Sequence, residues 1–473
     1  MKGETVRDVH RWPAEAWVPL LAGLAWLWEA PGQGLIGLLL AVVPGCLLLG
    51  SGVSMLLMPG DRRIAQFAAA GAALGVGFAL PAVFVVGVGA GLVLAGVSAA
   101  AFLAAGVHSL RDQPPHDGVP EPIASLRLAA QVAADEMLLA EMVMAIRPPT
   151  RDDHARVERE VSSARDRFAA EGWLEKPERY HRAPPPLVEP RIDRRRMRGL
   201  DYEHLHFDSG YEPHPDEPGR ERWLSYRANR TAHAWVVRHV GADRPWLLCV
   251  HGYVMGTPLV DLAVFRPGYF HEKLGMNMIL PTLPLHGRRS IGRRSGEGFF
   301  RADVLDMIHA EAQAMWDMRR CLDWVRRQTS APVGVYGLSL GGYNAALLAC
   351  LDPDLACAIA GVPVADFTRI LFRHGPPRNL RILHDVGLSE ERMRELTRVI
   401  SPLELDPKLP RERRYLFGGI ADRIVPADQV RDLWRHWEEP RIVWYQGSHV
   451  TFRAHRAVNR LIDDALHESG LVA

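Results

Sequence analysis

The sequence predicts two unlike parts, an N-terminal block of apolar helices and a C-terminal α/β domain built on a mostly parallel sheet. Between Trp17 and Leu110 the chain has only four charged residues, which are Glu29, Asp61, Arg62 and Arg63. From about residue 200 onward, short apolar runs typical of buried strands alternate with segments of helical periodicity. This alternation is typical of an α/β fold.

Composition excludes several classes of protein. The 473 residues exceed one ordinary domain, and 56 Lys+Arg against 55 Asp+Glu leave a net charge of +1. A balanced charge does not fit a dedicated nucleic-acid binder, so no nucleic-acid partner is expected. Five cysteines without a CxxC pair exclude a disulfide scaffold and a thiolate zinc site.

Residues 1–110 are predicted to form a membrane region with about four transmembrane helices. A bilayer core of about 30 Å needs roughly 20 apolar residues in helical form. Four apolar segments reach or approach that length: Ala14 to Ala30, Gly34 to Met58, Ile64 to Leu80 and Ala82 to Val107. A cleaved signal peptide is the alternative for the first segment, because a basic start precedes a short apolar stretch.

Basic residues predict the orientation of this region. Three basic residues precede the first segment, namely Lys2, Arg7 and Arg11. Two lie in the second turn, Arg62 and Arg63, and three follow the fourth segment, Arg111, Arg127 and Arg147. Because Lys and Arg concentrate in cytoplasmic loops, we expect a multi-pass protein of the cell membrane with its C-terminal domain in the cytoplasm. Three crossings would give the same sidedness. Anchoring in membrane lipids is the expected role.

Residues 111–200 are predicted to be a helical and Pro/Arg-rich linker. Its last part combines Pro184 to Pro186 with a basic cluster at Arg194, Arg195, Arg196 and Arg198, which indicates an extended, solvated connector. Binding of anionic lipid headgroups is the alternative role for this cluster.

The first strand candidate places His204, His206 and Asp208 on one face. No third and fourth ligands follow at a spacing typical of a metal site, so neither a metal nor a cofactor is predicted.

One serine lies in a distinctive local pattern. The apolar run Val333 to Tyr336 leads directly into Gly337-Leu338-Ser339-Leu340-Gly341, which a helix is expected to follow. A serine on a sharp turn from strand to helix needs small residues two positions away on each side. The pattern therefore indicates Ser339 as a nucleophile.

A serine nucleophile needs a base, and the base needs an orienting acid. Asp422 follows the strand candidate Tyr415 to Phe417, and His449 follows the strand candidate Ile442 to Tyr445. Parallel strands would bring Ser339, Asp422 and His449 to one edge of the sheet. Asp366, which follows another apolar strand, is the rival acid, with a helix N-cap as its alternative role.

With these motifs, residues 201–473 resemble the α/β-hydrolase superfamily. The matching motifs are HGYVMG from His251, GLSLGG from Gly337, the segment from Gly419 to Pro426, and Gly447-Ser448-His449. The resemblance implies Ser339 as nucleophile, His449 as general base and acid, and Asp422 as its orienting acid. It also implies backbone donors at Leu340 and Tyr253 for the oxyanion, and a helical cap over about 364–409.

The expected activity is hydrolysis of a carboxylic ester or thioester, possibly of a lipid, through an acyl-serine intermediate. Candidate substrate-binding residues lie in the cap and in a basic loop: Phe367, His286, Arg288 and Arg289. Two alternatives stay open, a peptidase that uses the same triad and a non-catalytic binding module that retains the fold.

Overall fold

The computed structural model describes residues 13–29, 34–58, 60–145, 150–241, 243–300 and 303–472. Four of the basic residues used for the orientation, Lys2, Arg7, Arg11 and Arg147, lie outside these ranges. The chain divides into two compact units. The first comprises Met1–Met144, Gly419–Pro426 and Gln446–Ala454, and the second comprises Ala145–Gly418, Ala427–Tyr445 and His455–Ala473.

The described residues of the first unit form five α-helices. They are α1 (Trp17–Glu29), α2 (Gly34–Leu57), α3 (Arg63–Val86), α4 (Val88–Arg111) and α5 (Leu126–Ala145). Large side chains on α2 to α4 are exposed, with Leu57 at 75% and Phe84 at 88% exposure. Exposed apolar area on this scale is typical of a surface that contacts lipid or another apolar partner.

Three helices in the described part of the chain, α2, α3 and α4, are long and apolar enough to cross a membrane. The predicted fourth crossing stays a prediction: α1 has 13 residues, which span about 20 Å at 1.5 Å per residue, and residues 30–33 lie outside the described ranges. The expected break at Pro81 is corrected. Helix α3 continues through Pro81, and the chain turns at Gly87, whose φ of 87° favours glycine.

The apolar helices pack closely. Nε1 of Trp26 on α1 donates a hydrogen bond to Oγ of Ser98 on α4 at 2.9 Å. A Cβ added to Gly75 on α3 would lie 2.4 Å from the same Ser98 oxygen. Small residues at such positions allow helix backbones to approach one another within apolar surroundings.

The second unit is built on a nine-stranded sheet. The strands are β1 (Arg191–Met197), β2 (Leu200–Asp208), β3 (Thr231–Val237), β4 (Trp246–Val250), β5 (Asn277–Pro281), β6 (Val333–Leu338), β7 (Ala358–Gly361), β8 (Arg414–Gly419) and β9 (Arg441–Tyr445). Their order is β1-β2-β3-β5-β4-β6-β7-β8-β9. Strands β1, β2, β3 and β5 pair antiparallel, whereas β5, β4, β6, β7 and β8 run parallel.

Ten α-helices accompany this sheet in the part of the unit that the structure describes. They are α6 (Arg151–Ala170), α7 (Arg220–Ser225), α8 (Pro258–Phe265), α9 (Val304–Arg326), α10 (Leu340–Leu351), α11 (Phe367–His374), α12 (Pro377–Asp385), α13 (Glu390–Thr397), α14 (Ala427–His436) and α15 (Arg456–Glu468). The central strands are buried on both faces, as parallel strands covered by helices are. The α/β class predicted from the alternating pattern is confirmed.

One segment differs from its prediction. Arg191–Met197, expected as a solvated connector, forms the edge strand β1 and pairs along its whole length with β2. Its arginines stay exposed, which is how edge strands are commonly protected from pairing with other chains. A run of arginines masks the alternation by which a strand is usually recognised.

Candidate active site

Ser339 occupies the sharp turn that joins β6 to α10. Its backbone has φ 58° and ψ −117°, a conformation that costs a non-glycine residue free energy. Hydrogen bonds hold the turn, since Ser339 donates its N–H to the carbonyl of Gly361 at 2.9 Å. The structure therefore holds the serine in the strained turn that the sequence pattern indicates.

The two flanking glycines are required by close backbone contacts. A Cβ on Gly337 would lie 1.9 Å from the carbonyl oxygen of Gly341, and one on Gly341 would lie 1.9 Å from that of Val250. No side chain fits at those distances. Leu340 begins α10, and the first N–H groups of a helix lack partners within the helix. The backbone at Leu340 can thus donate to a negative oxygen.

The loop after β4 lies against the serine turn. A Cβ added to Gly252 would lie 3.4 Å from Cβ of Ser339. Asp261 fixes this loop, because its carboxylate accepts hydrogen bonds from Gly256 N at 2.9 Å and from Nε1 of Trp235 at 3.0 Å. Burial raises the pKa of Asp261 to about 7. Tyr253, the predicted second oxyanion donor, lies in this anchored loop.

His251 connects the ends of β4 and β5. Its Nε2 accepts a hydrogen bond from the N–H of Leu283 at 3.0 Å, and its Nδ1 lies 2.8 Å from the carbonyl of Gly252. Burial lowers the pKa of His251 to about 4, so the ring is neutral near pH 7. The histidine of the HG motif therefore serves to hold the ends of β4 and β5 together.

Aromatic rings form a continuous wall from Tyr253 to the helix after Ser339. Successive ring centroids along this wall lie 5.0, 4.9, 5.3 and 4.1 Å apart, for the rings of Tyr253, Phe300, Phe299, Phe367 and Tyr343. Phe367, a predicted substrate residue, is only 3% exposed. It packs within this wall.

The other predicted substrate residues have different surroundings. His286 is fully buried, and burial with the charge of His251 and of Arg289 lowers its pKa to about 3. Arg289 is buried too, with Nη2 2.9 Å from a carboxylate oxygen of Asp317. Neither His286 nor Arg289 therefore offers an exposed positive charge to a substrate, and part of the arginine-rich loop is buried. Arg288 is exposed.

The structure brings Asp422 and His449 together in the first unit. Nδ1 of His449 lies 2.7 Å from Oδ2 of Asp422. The other Asp422 oxygen accepts hydrogen bonds from the N–H groups of Ile424 at 3.0 Å and Val425 at 2.8 Å. With a proton on Nδ1, Nε2 of His449 keeps its lone pair and can act as a base. The rival acid Asp366 instead caps α11 and contacts Arg394.

Asp135 on α5 is a residue of this region that the sequence did not indicate. Its side chain is fully buried, and Oδ2 accepts hydrogen bonds from the backbone N–H groups of His449 at 2.9 Å and Arg423 at 3.1 Å. Burial and the nearby charge of Asp422 raise the pKa of Asp135 to about 7. The sequence around Asp135 mixes apolar and acidic residues and contains no motif that would have indicated this contact.

Burial alone would lower the pKa of His449. The charge of Asp422, the hydrogen bond to it and the charge of Asp135 outweigh that effect, so the pKa of His449 is raised. Glu136, next to Asp135, contacts Nε of Arg423 at 3.1 Å. Two acidic residues of α5 thus hold the loops that carry the acid and the histidine.

The strand order and the serine turn are those of the α/β-hydrolase fold. A family model described as X-Pro dipeptidyl-peptidase (S15 family) matches residues 288–396 and supports a hydrolase of this type. Two uncharacterized proteins of Mycobacterium tuberculosis, from strains CDC 1551 / Oshkosh and ATCC 25618 / H37Rv, are each 44% identical over 365 residues. The alignments cover 75% of this chain and 86% of each relative. The chain belongs to the family of these two proteins.

Among solved structures, an acetyl xylan esterase from Paenibacillus sp. R4 is similar with a TM-score of 0.42 and 17% identity. The match covers 62% of this chain and 99% of the esterase.

We predict that Asp135→Ala loosens the two loops that it holds. The substitution leaves the N–H groups of Arg423 and His449 buried without an acceptor, at a cost of about 1–3 kcal/mol for each group. Hydrogen–deuterium exchange should become faster in segments 419–426 and 446–454 and stay unchanged in the strands of the sheet. The matched control is Glu141→Ala, an exposed acid on the same helix. Unchanged exchange in both loops would contradict the anchoring role of Asp135.

Proposed function

We propose that this protein is a membrane-anchored serine hydrolase that cleaves a carboxylic ester or thioester. Ser339 attacks the carbonyl carbon, and His449 takes the proton of the hydroxyl group. Asp422 orients the imidazole and stabilises its protonated form. His449 then protonates the leaving group. Water attacks the carbonyl carbon of the acyl-serine while His449 takes its proton, and His449 returns this proton to Oγ of Ser339 as the carboxylic acid leaves.

The observation that carries this proposal is the 2.7 Å contact between His449 and Asp422. A serine hydroxyl is a poor nucleophile near pH 7 unless an oriented base accepts its proton. A non-catalytic module would have no need of a buried carboxylate aligned on a histidine. The strained backbone of Ser339 supports the same conclusion, because such strain is concentrated at functional sites.

The sheet supports the grouping of these residues. Ser339 directly follows β6, Asp422 follows the end of β8 by three residues, and His449 follows the end of β9 by four. In open α/β sheets, functional residues collect beyond the carboxyl ends of the parallel strands. The N–H of Leu340 and that of Tyr253 are the proposed oxyanion donors, each worth about 3 kcal/mol of transition-state stabilisation.

An acyl group is the proposed substrate feature. The aromatic wall from Tyr253 to Tyr343 ends on the helix that follows Ser339, and its partly exposed members, Tyr253 and Phe300, offer apolar surface. Exposed apolar side chains on α2 to α4 support an anchor in lipid, and a lipid ester would then be close at hand. Arg62, Arg63 and Arg111 support a cytoplasmic catalytic domain.

A peptidase is the second candidate, because the matching family model is described as a dipeptidyl-peptidase. Esters of p-nitrophenol with acyl chains of increasing length, compared with Xaa-Pro p-nitroanilides, separate the two candidates. We expect higher kcat/KM for the esters. Higher kcat/KM for the anilides would support the peptidase, and no turnover of either class by a folded protein would support a binding module.

We predict that a fluorophosphonate probe labels the wild-type protein at Ser339 and fails to label Ser339→Ala. The probe reacts only with an activated serine, so labelling reports the nucleophile without knowledge of the substrate. Ser163→Ala, at an exposed serine on α6, is the matched control and should be labelled normally. Equal labelling of Ser339→Ala would show that the nucleophile lies elsewhere.

The pH dependence of kcat/KM should report His449. Because the pKa of His449 is raised from 6.5, the acid limb should have its midpoint above pH 6.5, and activity should fall below it as the base becomes protonated. Asp135→Asn removes a negative charge that favours the imidazolium, so the midpoint should move to lower pH. Glu141→Gln should leave it in place. A midpoint that stays unchanged in Asp135→Asn would contradict this account.

Membrane attachment has its own test. We expect the protein to stay in the membrane pellet after an alkaline wash, and a C-terminal green fluorescent protein to fluoresce in a bacterial host. A C-terminal alkaline phosphatase should be inactive, because it folds only outside the cytoplasm. Release of the protein by the wash would contradict the membrane anchor. An active phosphatase would contradict the cytoplasmic orientation of the C-terminal domain.

A further inference from the structure

We propose that Asp193, His204 and His206 form a binding site for a divalent transition-metal cation, with Zn²⁺ as the first candidate. One ligand atom from each residue lies within 4.8 Å of the other two. The site is independent of the proposed hydrolase chemistry and lies on the antiparallel strands at the start of the sheet.

The pairing of three strands brings these residues to one face of the sheet. His204 and His206 are two positions apart on β2, so their side chains point to the same side. Asp193 of β1 is directly opposite His204, and His233 of β3 is directly opposite His206. The sequence offered only Asp208 as a third ligand, because Asp193 belongs to a segment expected as a connector.

The distances are close to those of a tetrahedral site. Nε2 of His206 lies 3.5 Å from Oδ2 of Asp193, and Nδ1 of His204 lies 3.9 Å from the same oxygen. Bonds of about 2.0–2.2 Å to zinc place tetrahedral ligand atoms about 3.3–3.6 Å apart. The two imidazole ligand atoms lie within 4.8 Å of each other, so rotation of the rings by about 1 Å would bring all three ligand atoms to these distances. Two imidazoles and a carboxylate leave a fourth position for water.

His233 supplies the outer contact that metal-binding histidines usually have. Its Nδ1 lies 3.0 Å from Nε2 of His204. If Nε2 of His204 donates this hydrogen bond, Nδ1 keeps its lone pair on the side of Asp193. Such contacts fix the tautomer and the orientation of a ligand.

Arg195 is the competitor of the cation. Its Nη2 lies 3.5 Å from Oδ2 of Asp193, at the outer limit of a hydrogen bond, and its side chain is 54% exposed. An exposed arginine on an edge strand can turn into solvent when a doubly charged ion takes the carboxylate. Bound metal would connect β1 to β2 through side chains in addition to the backbone ladder.

The test uses the full-length protein in detergent micelles after removal of metals with a chelator. Titration calorimetry with Zn²⁺, and visible absorption with Co²⁺, should show one equivalent bound in tetrahedral geometry. His206→Gln and Asp193→Asn should abolish binding or weaken it at least 100-fold. His233→Gln should weaken it about 10- to 100-fold. Arg195→Ala should strengthen it several-fold.

The matched control is His239→Gln. In the wild type the ring of His239 stacks on that of His271, with centroids 3.8 Å apart. It should bind like the wild type. Zn²⁺ should also raise Tm in the wild type and in His239→Gln, but not in Asp193→Asn. Absence of binding, or an affinity that is the same in wild type, His206→Gln and Asp193→Asn, would overturn the proposal. The second result would mean adventitious metal only.

Discussion

The buried carboxylate of Asp135 is the contact on which the arrangement of the acid and the histidine depends. Its Oδ2 accepts the N–H groups of His449 and Arg423, one from each loop. A buried charge is costly unless hydrogen bonds satisfy it. Two backbone donors bind Oδ2, whereas Oδ1 has no hydrogen-bond partner among the described residues, in keeping with the raised pKa of Asp135. The carboxylate of Asp422 also lies close to the ring of His449, so two carboxylates interact with one imidazole. Burial and the charge of Asp422 raise the pKa of Asp135, whereas the charges of Asp422 and Asp135 raise the pKa of His449 against the effect of burial.

The same unit continues from these loops into the apolar helices. A Cβ on Gly106 of α4 would lie 1.9 Å from the carbonyl oxygen of Ala129 on α5, so the two helices touch through their backbones. Glu136 accepts a hydrogen bond from Oγ of Ser109 on α4 and contacts Arg423, the residue after Asp422. Under the proposed function, the apolar region therefore has two roles. It anchors the protein, and it is part of the scaffold that holds the acid and the base.

Sequence reasoning succeeded where local chemistry decides the structure. The turn at Ser339 requires glycine on both sides, and that steric demand is readable in a pentapeptide. The exposed arginines of β1 and the interior Arg289 could not be placed from the sequence, because strand pairing and a buried partner, Asp317, decide their positions. Asp135 was missed for the same reason, since its partners are backbone groups nearly 300 residues away in sequence.

The central claim is that Ser339 and His449 act as one catalytic unit. A double-mutant cycle with Ser339→Ala, His449→Ala and the combined variant, measured as kcat/KM on the best ester, tests it most directly. Each single substitution should lower kcat/KM by roughly 10⁴-fold or more, and the double variant should be no slower than the slower single variant, because members of one unit fail together. Losses that multiply in the double variant would show that the two residues act independently and would contradict the claim.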